Sequence, residues 1–462
     1  MKKENSYSKV NPQIIQVVNL VKNGDYKKAL ALGKRLTVKF DSSEVLSNTI
    51  GIIYRRLGKF KQAEFWAIKA ISQKQDFWAA HNNLASIYHD SGEIQKAISK
   101  YNWIIEQKPD YIEARSNLAL AYKAIGNYES SLKEYQRAIE VKKTPIGSFH
   151  IALTLLSLGR FSLGWEKHEY RWKVDPLNKF IWPINNRDLW QGEEDKKIVL
   201  WREQGIGDDI IFLSLVPEAS KVSKTLSVYI DPRLIPICER SMPGISFKYH
   251  KSSKIDGEVF DYHLPMGSLP RLFRNTEKDF ERVTRGYLKP DCKRVELLRD
   301  ELGLGSKKVI GISWKSIKSR NHLKKSLTLM DFKKIFKDLD VTLVNLQYGD
   351  VDEEIREFKN ETGIDVVQCA SVDNREDLDG LAALIEMCDL VVSTSNVTIH
   401  LAGAIGKETW VLLPYVANFW WLLDRTDSIW YPSLKLYRQK KSGDWDSITL
   451  DLRKDLMEKF DT

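Results

Sequence analysis

The chain has little cysteine: 4 in 462 residues, at positions 238, 292, 369 and 388, with no Cys-x-x-Cys pair and no histidine cluster beside them. That pattern excludes the usual zinc-site spacings, so no metal is expected, and it suits a reducing compartment. Cys369 and Cys388 lie in apolar segments and are expected to be buried thiols. No uninterrupted apolar run approaches the length of a membrane span. The opening stretch MKKENSYSKVNPQ is basic but lacks the apolar stretch of a secretory signal. A cytoplasmic chain with no integral membrane segment is the expectation.

Lysine and arginine total 71 against 62 aspartates and glutamates, a formal charge of +9. The excess favours anionic partners such as nucleotides and phosphates, or else a solvated lysine-rich surface. No recognised nucleic-acid-binding module accompanies it, so no nucleic-acid partner is expected. At 462 residues the chain exceeds one compact core, and two or three domains are expected.

Gly24, Gly58, Gly92 and Gly126 are spaced by 34 residues. Ala29, Ala63 and Ala97 follow their glycines by five positions, with Ser131 in the fourth frame, and Tyr54, Tyr88 and Tyr122 precede theirs by four. A glycine that ends a helix in a left-handed turn, and small residues that let paired helices approach, explain the pattern. The repeat resembles the tetratricopeptide repeat, a helix–turn–helix unit that stacks into a solenoid. Four repeats span about residues 10–145, and a degenerate fifth, SFHIALTLLSLGRFSLGWEKHEYRW, follows. The solenoid is either a concave surface for a protein partner or a rigid platform. Asn82, Asn83 and Asn117 on first helices are candidate groove residues, able to clamp a peptide backbone through their amides, or else idle on the surface.

After residue 190 the pattern alternates strands and helices. KIVLWRE (197–203), LSVYID (226–231), ISFKYH (245–250) and VFDYHL (259–264) read as strands, with helices over 208–220 and 231–241. A second series begins at KKVIGISW (307–314) and runs through strands at 341–349, 365–370, 389–394 and 408–414. Such alternation predicts parallel sheets covered by helices, with ligands at the C-terminal strand ends.

Three stretches carry the candidate chemistry. In REQGIGDDII, Gly205 and Gly207 lie between strand and helix and permit tight turns and close approach of a phosphate or sugar. Asp208 and Asp209 either cap the helix or present a general base to an acceptor hydroxyl. In STSNVTIH, Ser395, Asn396, Val397 and Thr398 open a helix that could receive a diphosphate, and His400 could donate to a phosphate oxygen or be a histidine bonded to backbone. In GISWKSIKSRNHLKK, Lys315, Lys318, Arg320, Lys324 and Lys325 form a cationic cluster after a strand, suited to a pyrophosphate or simply solvated. Trp420, Trp421 and Trp430 could stack on a sugar or base, or pack in a core.

Taken together, GRFSLGWEKHEYRW, LWREQGIGDDIIF, VIGISWKS, LVNLQYGD, DLDGLAALIEMCDLVVSTSNVTIHLAGAIGKETWVLLP and WWLLDRTDSIWYPSLKLYRQ resemble bacterial tetratricopeptide-repeat proteins fused to a glycosyltransferase domain of the heptosyltransferase type, glycosyltransferase family 9. The resemblance implies an α-solenoid over 10–175, then two Rossmann-type lobes of a GT-B-like fold over 190–300 and 301–450. It implies metal-independent sugar transfer from a nucleotide-sugar donor, which is a substrate rather than a cofactor, to a protein or glycan acceptor presented near the solenoid. It assigns Asp208 as the base, SNVTIH (395–400) as the donor-phosphate cradle and Lys315 as a diphosphate partner. One departure stands out: the family's cradle begins with Asp and has Gly two positions on, where this chain has Ser395 and Val397. A non-catalytic repeat scaffold carrying a degenerate transferase domain is the alternative.

Overall fold

The computed structural model describes residues 10–174, 187–249, 255, 259–282, 285–316 and 326–460. Contacts divide the chain into two units, 1–151 and 152–462.

The first unit is helical: α1 (Pro12–Lys22), α2 (Tyr26–Thr37), α3 (Glu44–Arg56), α4 (Phe60–Gln73), α5 (Trp78–Asp90), α6 (Ile94–Gln107), α7 (Ile112–Ala124), α8 (Tyr128–Val141) and the start of α9 (Pro145–Ser157). The four periodic glycines sit in the turns at φ 85°, 70°, 92° and 77°, the left-handed region that penalises a Cβ. Space is not the reason for them, because an added Cβ at each of Gly24, Gly58 and Gly92 would meet nothing within 4 Å. Ala29, Ala63, Ala97 and Ser131 are fully buried, as close helix pairing requires. Adjacent first helices are also joined by side-chain amides. Asn83 donates to Asn48 Oδ1 at 3.1 Å and accepts from Arg55 at 3.1 Å, and Asn117 donates to Asn82 Oδ1 at 3.0 Å.

The second unit begins inside the degenerate fifth repeat, so the solenoid unit ends at 151 rather than at the expected 175. Gly159 still takes a left-handed turn, φ 72°, before α10 (Phe161–His168). Trp165 of α10 is buried in the α/β core against Phe419, Trp420 and Trp430. Burying that indole takes this segment out of the solenoid and into the second unit.

The first sheet is parallel, in the order β3-β2-β1-β4, from β1 (Lys197–Trp201), β2 (Thr225–Tyr229), β3 (Ser246–Lys248) and β4 (Tyr262–Pro265). The second is parallel in the order β10-β9-β8-β5-β6-β7, from β5 (Lys308–Ser313), β6 (Val341–Asn345), β7 (Val366–Val367), β8 (Leu390–Thr394), β9 (Thr409–Leu413) and β10 (Leu434–Arg438). Counted within itself, the second sheet runs 3-2-1-4-5-6, the order of doubly wound nucleotide-binding sheets. The expected helix over 208–220 is two helices, Ile206–Leu213 and Val216–Val222, with Pro217 opening the second. One apolar cluster runs from Ile210 and Val228 of the first sheet region to Leu384 and Ile399 of the second. Between the sheets, Tyr287 and Leu288 backbone N–H groups both donate to Ala404 O, at 2.7 and 2.9 Å. Arg240 pairs with Asp379 and Arg294 with Asp377.

Candidate functional site

Two helices that start at C-terminal strand ends meet here. Helix Ile206–Leu213 follows β1, and helix Val397–Ile405 follows β8. The loops 205–209 and 395–400, far apart in sequence, are thereby brought to one place.

Gly205 and Gly207 both have ordinary backbone conformations. Gly205 is the N-cap, with ordinary φ −77° and ψ 165°, and Gly207 lies in the first helical turn, so neither supplies a left-handed turn. Gly207 is needed for approach: a Cβ there would lie 3.0 Å from His400 Cδ2 and 3.5 Å from its Nε2.

The aspartate pair divides its labour. Asp208 Oδ2 accepts from the Gly205 N–H at 3.1 Å, the return half of a capping box whose other half a glycine N-cap cannot supply. Burial pushes its carboxyl up to about 6, against the lowering effect of that N–H and with a smaller push from Glu203. Asp209 is buried and paired with Arg202 Nε at 2.8 Å. Arg202 also reaches Asp231 at 3.0 Å, Asp231 holds Arg233 at 2.8 Å, and Arg233 donates to Arg375 O at 2.8 Å on the second sheet's side. Asp208 can therefore both cap and titrate near neutrality; burial pushes Asp209 further, to about 8, against the lowering effect of Arg202, so what separates the two is that Asp209 alone is paired with an arginine.

His400 is buried, and its ring stacks on Trp421 at 5.6 Å and 27°. Burial lowers it to about 4, so it is neutral at ordinary pH. Its Nδ1 is 3.1 Å from the Tyr431 hydroxyl. Trp421 Nε1 donates to Ser395 Oγ at 3.1 Å, which leaves the hydroxyl's own proton for another acceptor. The next residue, Leu422, takes φ 46° and ψ −162°, a costly conformation for a leucine. Arg438 braces that turn by donating to Trp421 O and Leu422 O, both at 2.9 Å. Trp420 and Trp430 are buried core residues, so of the three tryptophans only Trp421 adjoins the site.

Asn396 is the N-cap of its helix and is buried; its Oδ1 accepts from Thr398 N at 3.0 Å, and its Nδ2 donates to Ser313 Oγ at 2.7 Å. Thr398 is buried and Val397 half-buried. Lys315 lies beside this cap, its carbonyl 3.4 Å from Asn396 Nδ2, but its ammonium is paired with Glu354 rather than left for a phosphate. Lys318, Arg320, Lys324 and Lys325 lie outside the described residues.

Gln347 was not singled out from the sequence. Its Oε1 accepts from Ser313 Oγ and from the backbone N–H groups of Trp314 and Lys315, at 3.0, 3.0 and 2.9 Å. It borders a cavity of about 480 Å³ at the ends of β6 and β7, lined also by Asn345, Asp350, Gln368 and Asn374. Cys369 lines this cavity too and is half-buried, not fully buried as expected; Cys388 is buried. Position at a parallel strand's C-terminal end was the available signal for Gln347. Another cavity of about 500 Å³ lies at the opposite strand ends by Trp410 and Leu434, where Lys435–Asp455 and Lys459–Glu408 neutralise one another.

The candidate groove residues Asn82, Asn83 and Asn117 belong to the other unit. Asn83 is buried with its amide committed, which corrects its assignment to a ligand surface, while Asn82 and Asn117 are half-buried and bonded to each other. Among the described residues no three His, Cys, Asp or Glu side chains converge as a metal set, and no helix is long and apolar enough to cross a membrane.

These features define a chain of tetratricopeptide repeats followed by parallel α/β sheets. A TPR repeat family model matches residues 85–126, and a tetratricopeptide repeat model matches 112–145. The chain is similar to Protein FlbA of Caulobacter vibrioides, 28% identical over 425 residues, 87% of this chain and 65% of that protein. It thus spans about 65% of the length of the curated relative it matches. Among solved structures, a thermophilic TPR protein of Thermus thermophilus is 17% identical and covers 36% of this chain and 90% of its own, with a TM-score of 0.33. A tetratricopeptide repeat protein from Parabacteroides merdae is 25% identical over 34% of this chain and 63% of its own, with a TM-score of 0.29. The repeats support a protein-interaction role.

Proposed function

We propose that the second unit is a metal-independent glycosyltransferase of GT-B type and that the repeats recruit the protein that bears or presents its acceptor. The observation that carries the reading is the meeting of Gly207 with His400, which sets the helix turn bearing Asp208 against the first turn of helix Val397–Ile405. In this reading the cavity beside Gln347 takes the nucleoside, with Asp350 as an acceptor for ribose hydroxyls. The first turn at Val397 and Thr398, with Lys315 once released from Glu354, offsets charge on the departing diphosphate. Asp208, raised to about 6, takes the acceptor hydroxyl's proton as the new bond to the sugar forms.

The test is a thermal-shift panel of UDP-, GDP- and ADP-sugars. A bound donor stabilises by about 2.7 kcal/mol at a hundredfold excess over its Kd. A shift with one nucleotide series, together with transfer that Asp208→Asn abolishes while leaving donor affinity intact, is expected. No shift with any donor overturns the reading. It would favour a repeat scaffold with a degenerate transferase unit, to which the Lys315–Glu354 pair already leans.

A further inference from the structure

The charge of the chain is not spread evenly along it. Residues 1–75, which end just past α4, carry 15 lysines and arginines against 5 aspartates and glutamates, and residues 76–462 carry 56 against 57. The formal +9 is thus +10 on the segment of the first two repeats and −1 on everything after it. The excess is also ordered. On α2 the exposed positions Lys27, Ala31, Lys34, Arg35 and Val38 recur every three or four residues, so they form one stripe of the helix. One repeat later the same positions on α4 are Lys61, Phe65, Ile68, Lys69 and Ser72. Equivalent positions of stacked repeats share a side of the stack. Asp41, just after α2, accepts from Lys69 Nζ through its carboxylate and from Gln73 Nε2 through its carbonyl, which joins the end of α4 to the end of α2. Val38, Phe65 and Ile68 stand on these stripes 90%, 62% and 49% exposed. Lys27, Lys28, Lys34, Arg35 and Lys61 are exposed around them and make no ion pair with a described residue. In the later repeats Ser99 and Asn102, then Lys133 and Gln136, take the places of Phe65 and Ile68, so the apolar pair belongs to the basic end alone. A solvated helix face has no use for an exposed phenylalanine and isoleucine among unpaired cations, whereas a binding surface combines the two.

We infer that the exposed stripes of α2 and α4 dock an acidic amphipathic segment of a partner protein, with its apolar side chains on Phe65 and Ile68 and its carboxylates against Lys27, Lys28, Lys34, Arg35 and Lys61. Phe65 and Ile68 are three residues apart on one helix, which matches apolar anchors three or four apart on a partner helix. The cations supply long-range attraction and reject basic sequences. A polypeptide fits better than a bilayer, because a helix lying in a membrane surface needs a broad apolar face, and here Lys61 and Ser72 stand one turn to either side of the apolar pair. The surface lies on second helices, whereas Asn82, Asn83 and Asn117 lie on first helices, so it is distinct from the amide ladder. It does not depend on the glycosyltransferase reading.

The experiment is fluorescence anisotropy of the full chain with three labelled synthetic peptides. One is amphipathic, with leucines at helical spacing and glutamates elsewhere; the second has lysine for every glutamate; the third scrambles the first. The expected result is binding of the first, weaker binding of the scrambled peptide and none of the lysine peptide. Affinity for the first should fall about tenfold between about 0.1 and 0.5 M salt. Lys34→Glu with Arg35→Glu should weaken it by about tenfold or more. Phe65→Ser should weaken it with the salt dependence kept. Lys133→Glu with Lys142→Glu, exposed cations of the fourth repeat and its exit, should leave it unchanged. No preference for the glutamate peptide over the lysine peptide overturns the inference, as does an equal loss from the Lys133 and Lys142 pair. Two other outcomes also overturn it by naming a different occupant. One is capture by vesicles of about 30% anionic lipid that the Lys34 and Arg35 reversals abolish, without peptide binding. The other is salt-sensitive self-association that the same reversals abolish. Should Phe65→Ser lose helical circular dichroism, the charge reversals alone decide.

Discussion

Gly207 and His400 are in van der Waals range across the two sheets: a methyl on the glycine would stand 3.0 Å from the imidazole Cδ2. The backbone at Gly207 is helical, so an alanine would otherwise gain about 0.5–1 kcal/mol there. His400 cannot yield, because Trp421 stacks on its ring and Tyr431 holds Nδ1. Overpacking of this kind costs about 1–3 kcal/mol. Gly207→Ala should therefore lower stability in urea unfolding and depress any transfer. Gly205→Ala is the control for approach, since its Cβ would meet only Asp208 Oδ2 at 3.3 Å and its cost is the loss of a glycine N-cap, about 0.5–1 kcal/mol. Equal effects from both would show that the approach of the helices is not what glycine serves.

Asp208 should show its strain in the pH dependence of stability. Its folded pKa is raised from 3.8 to about 6, so between those values the folded chain holds a proton that the unfolded chain has lost. Stability from this group therefore falls as pH rises through that window, by about 3 kcal/mol at 1.36 kcal/mol per unit. Asparagine removes the charge and keeps an oxygen for the Gly205 N–H. Asp208→Asn should be more stable than wild type by about 2–3 kcal/mol at pH 7, with the advantage gone by about pH 4. His400, lowered from 6.5 to about 4, contributes the opposite slope but is present in both proteins, so it cancels in the difference. A difference that does not change with pH would mean that the carboxyl is not desolvated.

Much of this was legible in the sequence, for reasons that differ by residue. The 34-residue period was visible because each turn needs φ > 0 and each helix pair needs a small residue, and both demands fall on residue type. Gly205 and Gly207 were visible as points of tight turning or close approach, but the sequence does not say that what approaches Gly207 is the imidazole of His400. Strand β10 was missed because LKLYR is a short edge strand beside Arg438 and Lys440, without a sustained period-2 pattern. Tyr287 and Tyr431 carried no signal, since each is a lone tyrosine whose meaning comes from a partner distant in sequence. Lys315 was read as following β5, but neither its place beside the Asn396 cap nor its pairing with Glu354, 39 residues on, was foreseeable from either position.

That pairing gives a test of the diphosphate role. Lys315 and Glu354 are both about a third exposed, and such an ion pair is worth about 0.2–1 kcal/mol. A bound diphosphate must take the ammonium from Glu354. Glu354 Oε1 also accepts from Trp314 Nε1 at 2.8 Å and Leu329 N at 3.0 Å, so glutamine is the conservative probe that keeps an amide oxygen there. Glu354→Gln should tighten nucleoside diphosphate binding about two- to fivefold by calorimetry, the equivalent of that pair's energy. Lys315→Ala should weaken it. Unchanged affinity in both would move the phosphate site away from β5.

The amide ladder of the solenoid can be separated from ligand binding by the same kind of measurement. Asn83 is 3% exposed, donates to Asn48 and accepts from Arg55. Asn83→Ala leaves the buried Asn48 oxygen without its donor and takes one acceptor from Arg55, at a cost of about 1–3 kcal/mol. Asn117→Ala breaks a bond between half-buried groups that water can replace, and should cost less than about 1 kcal/mol. If Asn82 and Asn117 hold a partner's backbone, Asn117→Ala should weaken capture of that partner while scarcely moving the unfolding midpoint, and Asn83→Ala should lower the midpoint. Equal destabilisation by the two would make the whole ladder structural and leave the repeats to bind through other residues.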